Sequence, residues 1–138
     1  MCEIIKFPTK EKIMSKAILI NPFKQTLSEI ELDLNRLPDI YAEIECDTFD
    51  CRAFGKGDVI VVDDNGLLKD TDEQAYFYFG VGEEVITLAG KALIVGGRSD
   101  GSWGSPAIDL RDIAELIAWI DNAEGAQFAK QFQPVVQS

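Results

Sequence analysis

Short runs of hydrophobic residues occupy most of the first hundred positions, and the runs predict β-strands. The segment AILINPF at 17–23 ends in Asn-Pro and is followed by QTLSEIELD at 25–33, so we expect these two segments to form a hairpin. Further strands are expected at 46–54, 59–62 and 76–81, with one or two more around Gly90 in 85–97. The pattern therefore predicts a mainly antiparallel sheet of about five or six strands.

Helical periodicity occurs in two segments. In LNRLPDIYAEI at 34–44 the apolar residues recur at helical spacing, and Pro38 lies near the first turn. A longer helix is expected at 107–121, with Ser105-Pro106 as its N-cap and first-turn pair. Its apolar stripe consists of Leu110, Ile113, Ala114, Ile117 and Ile120. Together with the strands, these helices predict a single α+β domain in which two helices pack on one face of the sheet.

The predicted domain spans residues 17–121. Residues 1–16 mix lysines, a proline and a few hydrophobic residues without a period, and we interpret them as an N-terminal arm or tail. Residues 122–138 are weakly helical and end after a proline, which indicates a C-terminal extension.

The stretch GDVIVVDDNGLL at 57–68 contains two adjacent aspartates, which could turn the chain or hold a metal. Asn-Gly between apolar runs favours a type I′ hairpin turn, because both residues accept positive φ angles. A calcium-binding loop would need an aspartate at position 61 and a glutamate at position 72, where the sequence has Val61 and Asp72. We therefore expect a hairpin turn and no metal site.

The charge balance narrows the classes of partner. The chain has 13 Lys and Arg against 24 Asp and Glu and no histidine, a net charge of −11. Such a surface repels phosphate backbones and anionic membranes, so direct nucleic-acid binding and membrane binding are not expected. The N-terminus lacks a secretory apolar region, and no run approaches the ~18 apolar residues of a membrane span. We expect a cytoplasmic protein.

Motifs for catalysis are incomplete. GRSDG at 97–101 matches G-x-S-x-G, but the chain has no histidine to deprotonate Ser99. Gly90-Lys91 is followed by Ala92, where a phosphate-binding loop needs Ser or Thr. Three cysteines without an imidazole make a poor zinc set. We expect no catalytic residues, no metal and no cofactor.

Two clusters of carboxylates carry the preferred functional hypothesis. Residues 29–50 hold eight carboxylates against Arg36, and residues 63–84 hold seven against Lys69. One interpretation is a solvated face that keeps the protein soluble. The functional interpretation is a surface that binds a basic protein, with aromatic anchors at its centre and charge at its rim. The candidate binding residues on this surface are Glu29, Glu31, Glu43, Glu45 and Tyr41.

Two alternatives belong to other classes. A small molecule or cation could bind the Gly-rich loop 96–105, where Arg98, Ser99 and Trp103 are the candidate contacts. Metal-dependent hydrolysis would require two or three of the carboxylates to converge within a few ångström. The first alternative needs an aromatic-lined pocket, which separates it from a docking protein.

A resemblance to other proteins covers roughly residues 17–97. It rests on four segments, which occur in the order AILINPFKQTLSEIEL, IYAEIECDTF, GDVIVVDDNGLL and LAGKALIVGG. This succession resembles a family of short uncharacterised proteins encoded by bacteriophages, prophages and other mobile elements. The resemblance implies a dispensable accessory protein of a mobile element, a context in which small acidic folds often act by binding and blocking a host protein. Together with the acidic clusters, this context leads us to expect a non-enzymatic protein that binds a host protein with a basic surface. It supplies no catalytic residue and no oligomeric state.

Overall fold

The structure is a computed structural model that describes residues 14–69 and 74–130. Most of the expected arm at 1–16 and the last part of the expected extension at 122–138 lie outside the described residues. The division of the chain into arm, domain and extension therefore stays a prediction.

The described strands form two antiparallel sheets. The main sheet contains β1 (Ser15–Asn21), β2 (Thr26–Leu32), β3 (Phe49–Phe54), β4 (Asp58–Asp63), β7 (Ala92–Gly97) and β8 (Trp103–Gly104). The second sheet contains β5 (Tyr76–Val81), β6 (Glu84–Ala89) and β9 (Ile117–Trp119). The helices are α1 (Leu37–Ile44), α2 (Leu110–Leu116) and α3 (Asn122–Ala129), with a 3₁₀ turn at Gly66–Leu68.

The strand order of the main sheet is β2-β1-β7-β4-β3, with β8 paired to the end of β7, and the order of the second sheet is β6-β5-β9. Every strand pair in the described residues is antiparallel. The predicted α+β class with a mainly antiparallel sheet is confirmed, although the strands divide into two sheets.

The first hairpin forms where the sequence predicts it. β1 and β2 pair in register down to Asn21 opposite Thr26. The side-chain Oδ1 of Asn21 accepts hydrogen bonds from the backbone N–H groups of Phe23 at 3.1 Å and Lys24 at 3.2 Å. The turn residues have no hydrogen-bond acceptor in a neighbouring strand, and the Asn21 side chain supplies one for their N–H groups. This is a common role of Asn in turns.

β7 lies at the centre of the main sheet and is buried on both faces. Ile94 aligns with Ile18 of β1 and with Ile60 of β4, and all three belong to one hydrophobic cluster. The adjacent row consists of Leu19, Leu93 and Val61, which pack in a separate cluster. Because successive side chains of a strand point to opposite faces, β7 separates two cores.

The helices lie on opposite faces of the main sheet. Ile40 and Ile44 of α1 pack with Leu93, whereas Ile113 of α2 packs with Ile94 and with Phe77 of the second sheet. The prediction that both helices pack on one face is therefore wrong. The physical reason is that β1, β4 and β7 are nearly continuous apolar runs, which is typical of strands buried on both faces.

The long helix expected at 107–121 is shorter than predicted, because a strand follows it within that range. Asp109 caps α2 by accepting the backbone N–H of Asp112 at 2.9 Å, so the expected cap at Ser105 is wrong. The helix ends at Leu116, and Ile117 turns to an extended conformation with φ −112° and ψ 136°. Residues 117–119 then pair with β5. The free edge of β5 and the strand preference of a β-branched residue outweigh the helical periodicity at Ile117.

Residues 85–97 form two strands that belong to different sheets. β6 pairs with β5, whereas β7 pairs with β1 and β4. Gly90 lies between them with φ 81°, a conformation that glycine adopts without strain. The chain therefore passes from the second sheet to the main sheet at this glycine.

Asp58 at the start of β4 fixes the segment that leads into α2. Its side chain is buried, and its two oxygens accept the backbone N–H groups of Ala107 at 2.8 Å and Ile108 at 2.9 Å. Hydrogen bonds to a carboxylate are stronger than neutral ones. Asp58 therefore connects the main sheet to the layer that contains α2.

We expect the substitution Asp58→Ala to lower the free energy of unfolding by about 2–4 kcal/mol, because two partly buried backbone N–H groups lose their charged acceptor. Asp58→Asn keeps one acceptor and should lose about half as much. Urea denaturation followed by circular dichroism measures both. The exposed Asp64→Ala is the control and should change stability by less than about 0.5 kcal/mol. Equal effects of Asp58→Ala and Asp64→Ala would contradict this role of Asp58.

Candidate functional site

Asp63 at the end of β4 determines how the chain leaves the main sheet. Its Oδ1 accepts the backbone N–H of Asn65 at 2.9 Å. Asn65 has φ −105°, and the 3₁₀ turn begins at the next residue. The expected type I′ hairpin is therefore wrong, because the Asp63 carboxylate stabilises a different turn through a local hydrogen bond.

Two ion pairs link this turn to the end of α1. Lys69 Nζ lies 2.7 Å from Asp63 Oδ2 and also donates to the backbone carbonyl of Glu45 at 3.4 Å. Lys91 Nζ lies 2.7 Å from Glu45 Oε2. Glu45 thus touches both lysines, one through its backbone and the other through its side chain.

The two ion pairs shift the pKa values of Glu45 and Lys69. The hydrogen bond from Lys91 holds the pKa of Glu45 below its usual value. The hydrogen bond to Asp63 raises the pKa of Lys69. Both shifts favour the charged forms of Glu45 and Lys69.

Glu45 is held in place by the way α1 ends. It has φ 55° and ψ 54°, the left-handed conformation that a helix often adopts at its C-terminus. The backbone N–H of Cys46 then donates to the carbonyl of Tyr41 at 3.0 Å. The chain therefore turns sharply after the helix and places Glu45 between Lys69 and Lys91.

Two adjoining clefts surround these residues and share Glu45, Asp63 and Lys69. The first has a volume of about 440 Å³ and is also lined by Tyr41, Cys46 and Asp47. The second has a volume of about 370 Å³ and extends to Phe23 and Lys91. Clefts of this size accommodate a small ligand or a side chain of a partner.

Cys46 lies beside the clefts as a buried free thiol. Burial, reinforced by the negative charge of Asp63, raises the pKa of this thiol to about 11. A protonated thiol is a poor nucleophile, because the thiolate is the reactive form. Cys46 therefore fills the core below α1.

Aromatic rings connect Tyr41 to the interior. The ring centroids of Tyr41 and Phe49 are 5.5 Å apart, and those of Phe49 and Trp103 are also 5.5 Å apart. Tyr41 is half-buried, whereas Trp103 is 6% exposed and belongs to the core. Trp103, a candidate contact of the Gly-rich loop, is buried because β8 pairs with β7 and draws the indole into the cluster below α1.

The candidate glutamates do not form one surface. Glu29 and Glu31 align with Ile18 and Lys16 of β1, so they project from the face of the main sheet opposite α1. Glu43 and Glu45 lie at the end of α1, on the other face. The structure therefore brings Tyr41 and Glu45 together in one cleft, places Glu43 on the same helix but not among the residues that line this cleft, and separates all three from the glutamates of β2.

Arg98 and Ser99 are exposed in the short connection between β7 and β8. The backbone N–H of Arg98 donates to the carbonyl of Ser102 at 3.0 Å, and Asp100 accepts the N–H and hydroxyl of Ser102 at 2.9 Å and 2.6 Å. The bonds from Ser102 lower the pKa of Asp100. The loop is thus closed by its own hydrogen bonds. Whether Arg98 and Ser99 bind a ligand stays a prediction.

The convergence that metal-dependent hydrolysis requires is not found in the described part of the chain. No group of three or more Asp, Glu or Cys side chains within residues 14–69 and 74–130 is arranged to hold a metal ion. Among the described helices, none combines the length and apolar composition that crossing a membrane requires.

The fold and the clefts define a small α+β protein with two antiparallel sheets. Comparison with protein families gives a match over residues 14–117 to a domain of unknown function, DUF3846. The chain belongs to this family, which agrees with the expected membership of an uncharacterised family. No curated protein and no solved structure matches the chain.

Sequence reasoning did not select Lys69 and Lys91 as site residues. Lys69 carried a signal, because it is the single basic residue among seven carboxylates in 63–84. Lys91 carried little signal in the sequence, because it approaches Glu45 from a different part of the chain. Their convergence depends on the pairing of β7 between β1 and β4.

We expect Cys46 to react slowly with iodoacetamide in the folded protein. A thiol with a pKa of about 11 is ionised to about one part in a thousand at about pH 8. Peptide mapping by mass spectrometry measures labelling of the Cys46 peptide in buffer and in concentrated urea. Unfolding should accelerate labelling at least a hundredfold, and equal rates in the two conditions would contradict the burial of this thiol.

Proposed function

We propose that this protein is a non-enzymatic acidic accessory protein that binds a basic surface of a host protein. The proposal includes an origin in a phage or another mobile element, which the sequence resemblance supports, and action in the cytoplasm. The binding surface is the C-terminal end of α1, and we call it the α1-end surface. It comprises Tyr41, Glu43, Glu45 and Asp47.

One observation carries this proposal. A single cleft combines the ring of Tyr41 with the carboxylates of Glu45 and Asp47. The last turn of α1, which is fully described, has no basic residue to offset the negative end of the helix dipole. Three carboxylates, those of Glu45, Asp47 and Asp63, face the single ammonium group of Lys69 in this cleft, so the charge beside the aromatic ring is net negative. A net negative charge beside an aromatic ring suits the side chain of a lysine or arginine.

The packing of Tyr41 favours binding over simple solvation. Its ring contacts Phe49, which contacts the buried Trp103. A ring that is already fixed loses little conformational entropy when a partner covers it. Aromatic residues with this character are frequent at the centres of protein interfaces, with charged residues at the rim.

The position of Glu29 and Glu31 restricts the proposed binding surface to one face of the main sheet. These two residues project from the opposite side of the main sheet, so a partner on the α1-end surface does not contact them. They serve as a matched control, because they are exposed and carry the same charge.

The experiment compares two triple variants, each of which removes three negative charges from a net charge of −11. The first is Glu43→Gln, Glu45→Gln, Asp47→Asn on the α1-end surface. The second is Glu29→Gln, Glu31→Gln, Glu83→Gln at exposed sites elsewhere. Both are used as bait in host lysate, captured proteins are identified by mass spectrometry, and the affinity of each purified candidate is measured by calorimetry.

We expect a partner with a basic surface that binds wild type and the second variant with similar affinity. The first variant should bind it at least tenfold more weakly. Binding to wild type should disappear in about 1 M salt, where the Debye length is about 3 Å. Equal loss in both variants, or no loss in either, would contradict docking at the α1-end surface.

A further inference from the structure

The cleft of about 370 Å³ beside Lys91 has a composition that differs from the acidic surface around it. The residues that enclose it come from the β1–β2 turn, the end of α1, the two ends of the segment from Asp63 to Lys69, Gln74 before β5, and the connection from β6 to β7. Two lysines, two carboxylates and two apolar side chains line it, namely Lys69, Lys91, Glu45, Asp63, Phe23 and Ile44. Such a mixture of apolar wall and convergent charge is typical of small-ligand sites.

The two ion pairs in this cleft differ in how easily they separate. The Asp63 side chain is 4% exposed and also accepts the N–H of Asn65. Removing its lysine would leave a buried charge, so this pair is structural. Glu45 is 66% exposed, whereas its partner Lys91 is 24% exposed. The Glu45 carboxylate can therefore move into water at little cost, because an exposed ion pair adds little to stability.

Lys91 is held where a ligand could meet it. It follows Gly90, whose backbone N–H donates to the carbonyl of Ala75 at 2.8 Å. The Gln74 side chain packs against Gly90 and donates to the carbonyl of Gly66 at 2.8 Å. These bonds fix the backbone from which the Lys91 side chain extends, and the ion pair with Glu45 holds its ammonium group at the cleft.

Phe23 supplies an apolar wall. It is a large hydrophobic residue, yet it is 49% exposed. It lies in the β1–β2 turn, where its backbone N–H donates to Oδ1 of Asn21. An exposed phenyl ring beside an ammonium group is complementary to a ligand that has an apolar or aromatic part and one anionic group.

We propose that this cleft binds a small organic anion, a carboxylate or phosphate monoester with an apolar or aromatic group. The anionic group takes the place of the Glu45 carboxylate on Lys91, and the apolar group lies against Phe23. Lys69 stays with Asp63 and adds positive charge at the rear of the cleft. The net negative charge of the protein opposes binding only weakly, because charges beyond ~8 Å are screened at physiological ionic strength.

Calorimetry and amide chemical-shift titration with phenyl phosphate test this proposal, with benzoate as the carboxylate probe and inorganic phosphate as the probe without an apolar part. We expect shifts at Phe23, Gly90 and Lys91. Phenyl phosphate should bind more tightly than inorganic phosphate. Phe23→Ala should reduce the affinity for phenyl phosphate and leave the affinity for inorganic phosphate unchanged.

Two charge variants act in opposite directions. Lys91→Gln should weaken binding of phenyl phosphate at least tenfold, whereas Glu45→Gln should strengthen it severalfold by removing the competing carboxylate. Lys56→Gln, at an exposed turn, is the matched control and should leave the affinity unchanged. Equal effects of Lys91→Gln and Lys56→Gln, weaker binding by Glu45→Gln, or an absence of shifts at Phe23 and Lys91 would overturn the proposal.

This outcome is independent of the proposed docking function. Glu45→Gln should weaken docking of a basic partner, yet it should strengthen binding of phenyl phosphate. Lys91→Gln should abolish anion binding and retain docking. The two proposals therefore fail separately.

Discussion

The burial of β7 on both faces is the constraint on which the rest of the structure depends. Leu93 and Val95 pack towards α1, whereas Ala92 and Ile94 pack towards α2 and the second sheet. Each apolar layer therefore rests on the same six-residue strand. Truncating one buried leucine or isoleucine costs about 2–5 kcal/mol, so this strand holds a large share of the stability of a small domain.

The position of β7 also determines which charged groups meet. Lys91 precedes the strand, and β4 ends at Asp63 beside it, so the ion pairs form at one end of the sheet, where α1 terminates. Glu29 and Glu31 lie on β2 and project from the opposite face. The sheet thus separates carboxylates that are neighbours in sequence and brings together charges that are distant in sequence. The surface that we propose for binding, at the end of α1, depends on this arrangement.

Local signals in the sequence predicted local structure well. The Asn-Pro turn gave the first hairpin, and helical spacing with Pro38 gave α1. Predictions from these signals failed where a competing interaction, local or tertiary, decided the outcome. Asn-Gly at 65–66 indicated a hairpin, but the Asp63 carboxylate stabilised another turn. Ile117 continued a helical stripe, but the edge of β5 offered hydrogen bonds to an extended chain. The pairing of Lys91 with Glu45 joins segments that no local pattern connects.

Methyl–methyl nuclear Overhauser effects in the labelled protein test the central role of β7 most directly. The account predicts contacts from Ile94 to Ile18 and Ile60, and contacts from Leu93 to Leu19 and Val61. It also predicts that the methyl groups of α1 connect with the Leu93 set and those of α2 with the Ile94 set. Contacts from both helices to the same set would contradict the account, because both helices would then lie on one face of the sheet.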